Sequence, residues 1–165
     1  MEYTSDKNIK KIELGEQLSQ LALTIRAKVL EKDLPSHVEK SYGKIISYLN
    51  EPGEKPNGAP FIAYHNIDTK NLRGTGTWEM EVGFPVSKVL PEKGEIKSAM
   101  ILKGKTVSCI HKGAYTGLGK AYSQLSEWIR KNKHQSMNIS YEYFYNSPAD
   151  VPEEELLTRI VLLIR

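Results

Sequence analysis

One carboxylate, Glu142, sits inside an aromatic run, Tyr141-Glu142-Tyr143-Phe144-Tyr145. In an extended segment, alternation puts Ser140, Glu142 and Phe144 on one side and Ile139, Tyr141, Tyr143 and Tyr145 on the other. A carboxylate beside ring faces suits a lipophilic cation, because the rings attract positive charge and the carboxylate neutralises it. Withdrawn from water, the same carboxyl has a raised pKa and can act as a general acid or base. On the residues alone, a strand glutamate ordinarily faces solvent, and that reading leads over the other two. Tyr64, Tyr115, Trp78 and Phe144 are divided between core and pocket lining, whereas Tyr42 and Tyr122 lie on apolar helix stripes and read as core. Tyr141 and Tyr143 are assigned to the helix-packed face of the sheet.

Other chemistries find little support. His37, His65, His111 and His134 show no metal-ligand spacing, and Cys109 is the single cysteine. No serine, nor Cys109, lies in a nucleophile motif, and no glycine-rich loop follows a strand to cradle phosphate. Neither a metal nor a cofactor is indicated.

The elements that position Glu142 are written twice. Val38, Tyr42, Ile45 and Leu49 are matched 80 positions later by Leu118, Tyr122, Leu125 and Ile129. Steps of 4, 3 and 4 place each set on one face of a helix. Tyr48 and Trp128 match at the same offset, and the segment 61–64 falls on 141–144. Glu142 therefore stands where the first half has Ile62. The halves, residues 9–86 and 98–164, each read as strand–helix–strand–strand. Together they predict a single α+β domain over residues 1–165, with pseudo-two-fold symmetry. Its antiparallel sheet carries two main helices on one face. A cleft is expected at the seam, with Glu142, Phe144 and Tyr64 on the sheet face away from the helices.

Strands are expected over 9–14, 21–29, 61–65, 78–84, 98–102, 106–111, 139–145 and 158–164. Helix one is expected from Ser36, which with Glu39 makes a capping box, to before the breaker Pro52-Gly53. Helix two follows the turn 113–117 and runs to about Lys131. A polar link with Gly74 and Gly76 joins the third and fourth strands, and a short helical turn near 152–156 leads into the last.

The composition fits an ordinary globular protein: 165 residues, 39% hydrophobic and 26% charged. A net charge of +3, scattered along the chain, gives no nucleic-acid footprint, so direct DNA binding is not expected. The apolar runs are far too short for a membrane span, and the N-terminus lacks a signal-peptide core. With one cysteine, this predicts a cytoplasmic protein.

Several segments, in order and spacing, resemble the GyrI-like small-molecule-binding family. They include Tyr42-Gly-Lys-Ile45, Glu81-Val-Gly-Phe-Pro-Val86, His111-Lys-Gly-Ala-Tyr115, Leu118-Gly-Lys-Ala-Tyr122, Leu125-Ser-Glu-Trp128 and Tyr141-Glu142-Tyr143. The resemblance covers nearly the whole chain. It departs at Leu163, where the family commonly has a proline. The family includes effector-binding domains of multidrug-responsive activators and free-standing gyrase-inhibitory proteins. It implies that Glu142 lies at the floor of a ligand pocket and Tyr115 at its rim. The effector-like segment begins within the first twenty residues, so the chain is expected to be a free-standing member without a DNA-binding region.

Three functions follow as expectations. The first is binding of hydrophobic, often cationic, aromatic compounds, for sequestration or sensing. The second, from family members that hydrolyse cyclopropane-bearing alkylating compounds, makes Glu142 the group that orients or deprotonates water and Tyr115 a proton donor. The third is a protein-interaction role such as gyrase modulation, with no protein partner named by the sequence.

Overall fold

The computed structural model describes residues 8–65 and 76–165. Its centre is an antiparallel eight-stranded sheet with two helices. The strands are β1 (Glu13–Gln17), β2 (Gln20–Leu30), β3 (Phe61–Tyr64), β4 (Thr77–Pro85), β5 (Ile96–Ile101), β6 (Gly104–Lys112), β7 (Ser136–Phe144) and β8 (Leu157–Ile164). The helices are α1 (Leu34–Asn50) and α2 (Leu118–Lys131). The polar link with Gly74 falls outside the described residues. No helix among the described residues is long and apolar enough to cross a membrane.

The spatial order is β1-β6-β8-β7-β3-β4-β2-β5. Exchanging the halves reverses this order onto itself, as a duplication about a two-fold axis requires. β7 and β3 are the central pair, and Ile62 stands directly opposite Glu142. The edge strands are exchanged: β1 precedes β2 in the chain but pairs with β6, while β5 pairs with β2. Each half thus lends a strand to the other, which the local pattern does not show.

Both helices pack on the same sheet face. α1 buries Ile45 and Leu49 against Leu23, Ile25 and Phe84. α2 buries Ala121, Leu125 and Ile129 against Val107, Ile160 and Leu162. Of the eight repeated helix positions, Ile45, Leu49, Tyr122, Leu125 and Ile129 are buried. Val38, Tyr42 and Leu118 are only half-buried, so the expected core stripe is incomplete toward the start of each helix.

The capping box at Ser36 does not form. The helix begins at Leu34, with Asp33 at the cap position and Pro35 in the first turn, and no side chain caps the end. A 3-10 turn over Glu31–Asp33 leads directly into it, and the Ser36 hydroxyl donates to the Asp33 carbonyl instead.

The other sheet face curls inward at one end. Gln17 at the end of β1 donates to the Leu102 carbonyl just after β5 (2.7 Å), so the two edges meet. The Tyr141 hydroxyl accepts from the Leu102 amide (3.0 Å), and the Tyr143 hydroxyl donates to the Gln17 side-chain carbonyl (2.7 Å). Phe61, Tyr141, Ile101 and Leu163 are buried there. Tyr141 and Tyr143 therefore lie on the face away from the helices, a correction to their assignment above. Their hydroxyls are satisfied by strand ends that only the exchanged pairing brings near. Curling also leaves no room beside Gly83, where a Cβ would lie 2.5 Å from the Leu23 carbonyl oxygen.

Candidate functional site

The same correction moves the candidate site. Glu142, on β7, lies on the helix-packed face, not the opposite one. The Tyr122 hydroxyl of α2 donates to its Oε2 at 2.5 Å and lies 3.1 Å from the Ser140 hydroxyl. Glu142 is only 6% exposed, and no cation pairs with it among the described residues. Burial raises its carboxyl from the ordinary 4.5 to about 7, and the Tyr122 hydrogen bond opposes only part of that rise.

Other hydroxyls gather around this carboxyl. The phenols of Tyr42, Tyr64 and Tyr115 are all raised, first by burial and next by the charge of Glu142. Tyr122 is raised for the same reasons. Four phenols, from α1, β3, the turn before α2 and α2 itself, thus sense one carboxylate. Tyr42 also donates to the Phe61 carbonyl at 3.0 Å, which fixes its ring across β3.

The aromatic walls are paired edge to face. Tyr115 meets Phe144 at 5.7 Å between ring centres and 78°, and Tyr64 meets Trp78 at 5.1 Å and 63°. Tyr64, Phe144, Leu34, Val38 and Leu118 are all only half-buried. Leu34, Val38 and Leu118 come from the starts of the two helices and pack against the same core clusters as Tyr64 of β3, with Phe144 of β7 beside them. Together they cover the centre of the sheet, where Glu142 is buried. The Nε1 of Trp78 and the hydroxyl of Thr158 are buried without a hydrogen-bond partner among the described residues. Thr158 stands opposite Phe144 on the same face.

Strand alternation together with the repeat had grouped Glu142, Phe144 and Tyr64, and the structure puts all three on one face, with Tyr115 and Trp78 joined through ring contacts. Tyr42 and Tyr122, read as core, both turn hydroxyls toward the sheet centre. One signal could have found them. The repeat keeps a tyrosine at the equivalent position of both helices, where leucine would fill a purely apolar stripe.

Wide surface grooves lie elsewhere. One of about 530 Å³ runs between α1 and the segment before β5, edged by Lys44, Tyr48, Glu51 and Glu95. Its charges are already neutralised, by Lys44–Glu95 and Lys93–Glu51 pairs. Among the described residues, no group of three or more His, Cys, Asp or Glu could hold a metal ion.

The centre of the helix-packed face is thus a buried carboxyl on which four phenols converge. The sequence model of the GyrI-like small molecule binding domain matches residues 20–165. The chain belongs to this family. No curated protein matches its sequence. Among solved structures, this GyrI-like chain is similar to EcmrR in its DNA complex (TM-score 0.83, 21% identity), where 98% of this chain covers 59% of that one. It therefore spans under two thirds of the EcmrR chain. It is also similar to the isolated EcmrR C-terminal domain (TM-score 0.75, 22% identity, covering 94% and 97%). A third similar structure is SAV2435 bound to tetraphenylphosphonium (TM-score 0.67, 10% identity, covering 94% of each). At these identities the likeness concerns the fold.

Proposed function

We propose that this GyrI-like protein binds lipophilic aromatic cations between α1 and α2, with the ligand's charge over Glu142. One observation carries this reading: Glu142 is buried beneath half-buried aromatic walls and has no cationic partner among the described residues. A fully buried carboxyl without a counter-ion is costly to ionise, and an incoming cation removes that cost. Tyr64, Phe144, Tyr115 and Trp78 supply ring faces for the same charge. SAV2435 shares the fold, and its ligand, tetraphenylphosphonium, is a compound of this class. A sequestering or sensing role needs only this binding.

The test is a titration of aromatic cations followed by tryptophan fluorescence. Trp128 stacks on His134 at the end of α2, and a Trp128→Phe background leaves Trp78 as the reporter. Saturable quenching in the micromolar range, roughly −8 kcal/mol, is expected. A folded protein that binds no member of the panel contradicts the proposal.

A hydrolytic reading draws on the same carboxyl. With its pKa at about 7, Glu142 exists in both acid and base forms near neutrality, as general catalysis requires. Tyr115 is the most exposed of the surrounding phenols and would donate a proton from the rim. Turnover of a cyclopropane-bearing alkylating compound to its water adduct, lost in Glu142→Gln, would favour this reading; a rate equal to background removes it for that class.

A further inference from the structure

The duplication supplies an internal control for the sheet face opposite the helices. Stepping outward from the Ile62–Glu142 pair, Val82 on β4 corresponds to Ile160 on β8. One residue earlier on each strand, Glu81 corresponds to Arg159, on the opposite face. The neighbouring hydroxyl is kept: Thr24 donates to Glu81 at 2.9 Å, and Arg159 reaches the equivalent Ser108 hydroxyl at 3.5 Å. The counter-charges are not kept. Glu81 is held by His65 at 2.6 Å and by Arg26 at 3.8 Å. The position equivalent to Arg26 is Ile110, and the position equivalent to His65 is Tyr145. Half-buried Arg159 is thus left with no carboxylate within ion-pair distance among the described residues.

The surroundings of Arg159 are concave. It lines a groove of about 370 Å³ together with Tyr143, Tyr145, Gln20, Asn57 and Ile101. That volume is within the range of small-molecule sites. The Tyr145 ring, 48% exposed, borders it. Glu16 is the one carboxylate on its lining. A second groove on the other side of Arg159, of about 290 Å³, adds Lys10 and Lys11 against Glu13. A guanidinium offers a planar fork of donors that matches a carboxylate or phosphate, and tyrosine rings beside it suit a flat body.

We propose that this groove is a second ligand site, of opposite charge preference to the first: it takes a small aromatic acid, with its carboxylate or phosphate on Arg159 and its ring against Tyr143 and Tyr145. The acid site and the cation site lie on opposite faces of one sheet, so they can be filled together.

The experiment is calorimetric titration of the whole chain with 2-naphthoate, 2-naphthyl phosphate and neutral 2-naphthamide. At least one of the acids should bind, and the stronger identifies the preferred headgroup. Arg159→Gln should weaken that acid tenfold or more and leave 2-naphthamide unchanged. Arg159→Lys, which keeps the charge but loses the fork, should fall between. Retained tetraphenylphosphonium binding by both variants shows that they remain folded. Failure of both acids to bind, acid binding that survives Arg159→Gln, or displacement of the acid by tetraphenylphosphonium would each overturn the proposal.

Discussion

Glu142→Gln should abolish most of the protein's affinity for a charged aromatic ligand while sparing a neutral ligand of the same shape. The amide keeps the size of the carboxyl and its place beside the Tyr122 hydroxyl. Only the Coulombic partner is lost, at a site 6% exposed where water cannot substitute. Breaking a buried charge pair from one side costs about 2–5 kcal/mol. That is roughly 30-fold or more in dissociation constant. The comparison is tetraphenylphosphonium against a neutral tetraphenyl isostere, each titrated into wild type and variant. Equal losses for the two ligands would mean that Glu142 acts through shape or hydrogen bonding.

Leu125→Ala should destabilise the fold by about 2–5 kcal/mol, the usual range for a core leucine. Leu125 is fully buried between α2 and the β6 and β8 side chains Val107, Ile160 and Leu162. Packing there is two-sided, so truncation leaves a cavity that the sheet cannot close. Leu118, about two turns nearer the helix start, is half-buried beside the proposed ligand site above Glu142. Leu118→Ala should cost much less stability and chiefly alter ligand affinity. Urea unfolding of both variants checks this; equal losses would place Leu118 in the closed core and contradict that site.

The contrast between Leu125 and Leu118 also shows how far the sequence reaches. Helical spacing at 38, 42, 45 and 49, repeated at 118, 122, 125 and 129, is a local signal and located both helices and their inward faces. It could not show that Val38, Tyr42 and Leu118 are only half-buried, because that depends on how the helices sit on the sheet. Strand alternation likewise separated Glu142 from Tyr141 without saying which side the helices cover. Both sides of β7 carry large aromatic residues, so burial alone does not break the tie. The Leu102 amide and Gln17 break it by taking up the Tyr141 and Tyr143 hydroxyls. Those contacts exist because β1 and β5 cross to the opposite halves, a pairing between segments 71 to 95 residues apart.

The proton on Glu142 gives the most direct test of cation binding at this site. Its carboxyl titrates at about 7 in the folded protein, against an ordinary 4.5. Between those values the folded chain holds a proton that the unfolded chain has released. Stability contributed by that proton is therefore present at low pH and lost as pH rises through this window. A bound cation favours the charged form, so below about pH 7 binding must expel the proton, and affinity must rise with pH until it levels off. Calorimetric titration of tetraphenylphosphonium in buffers of different ionisation enthalpy counts that proton. The expected result is about one proton released per cation at pH 6, about none at pH 8.5, and none at either pH in Glu142→Gln. Tight binding at pH 6 with no proton released would show that the cation does not rest on Glu142.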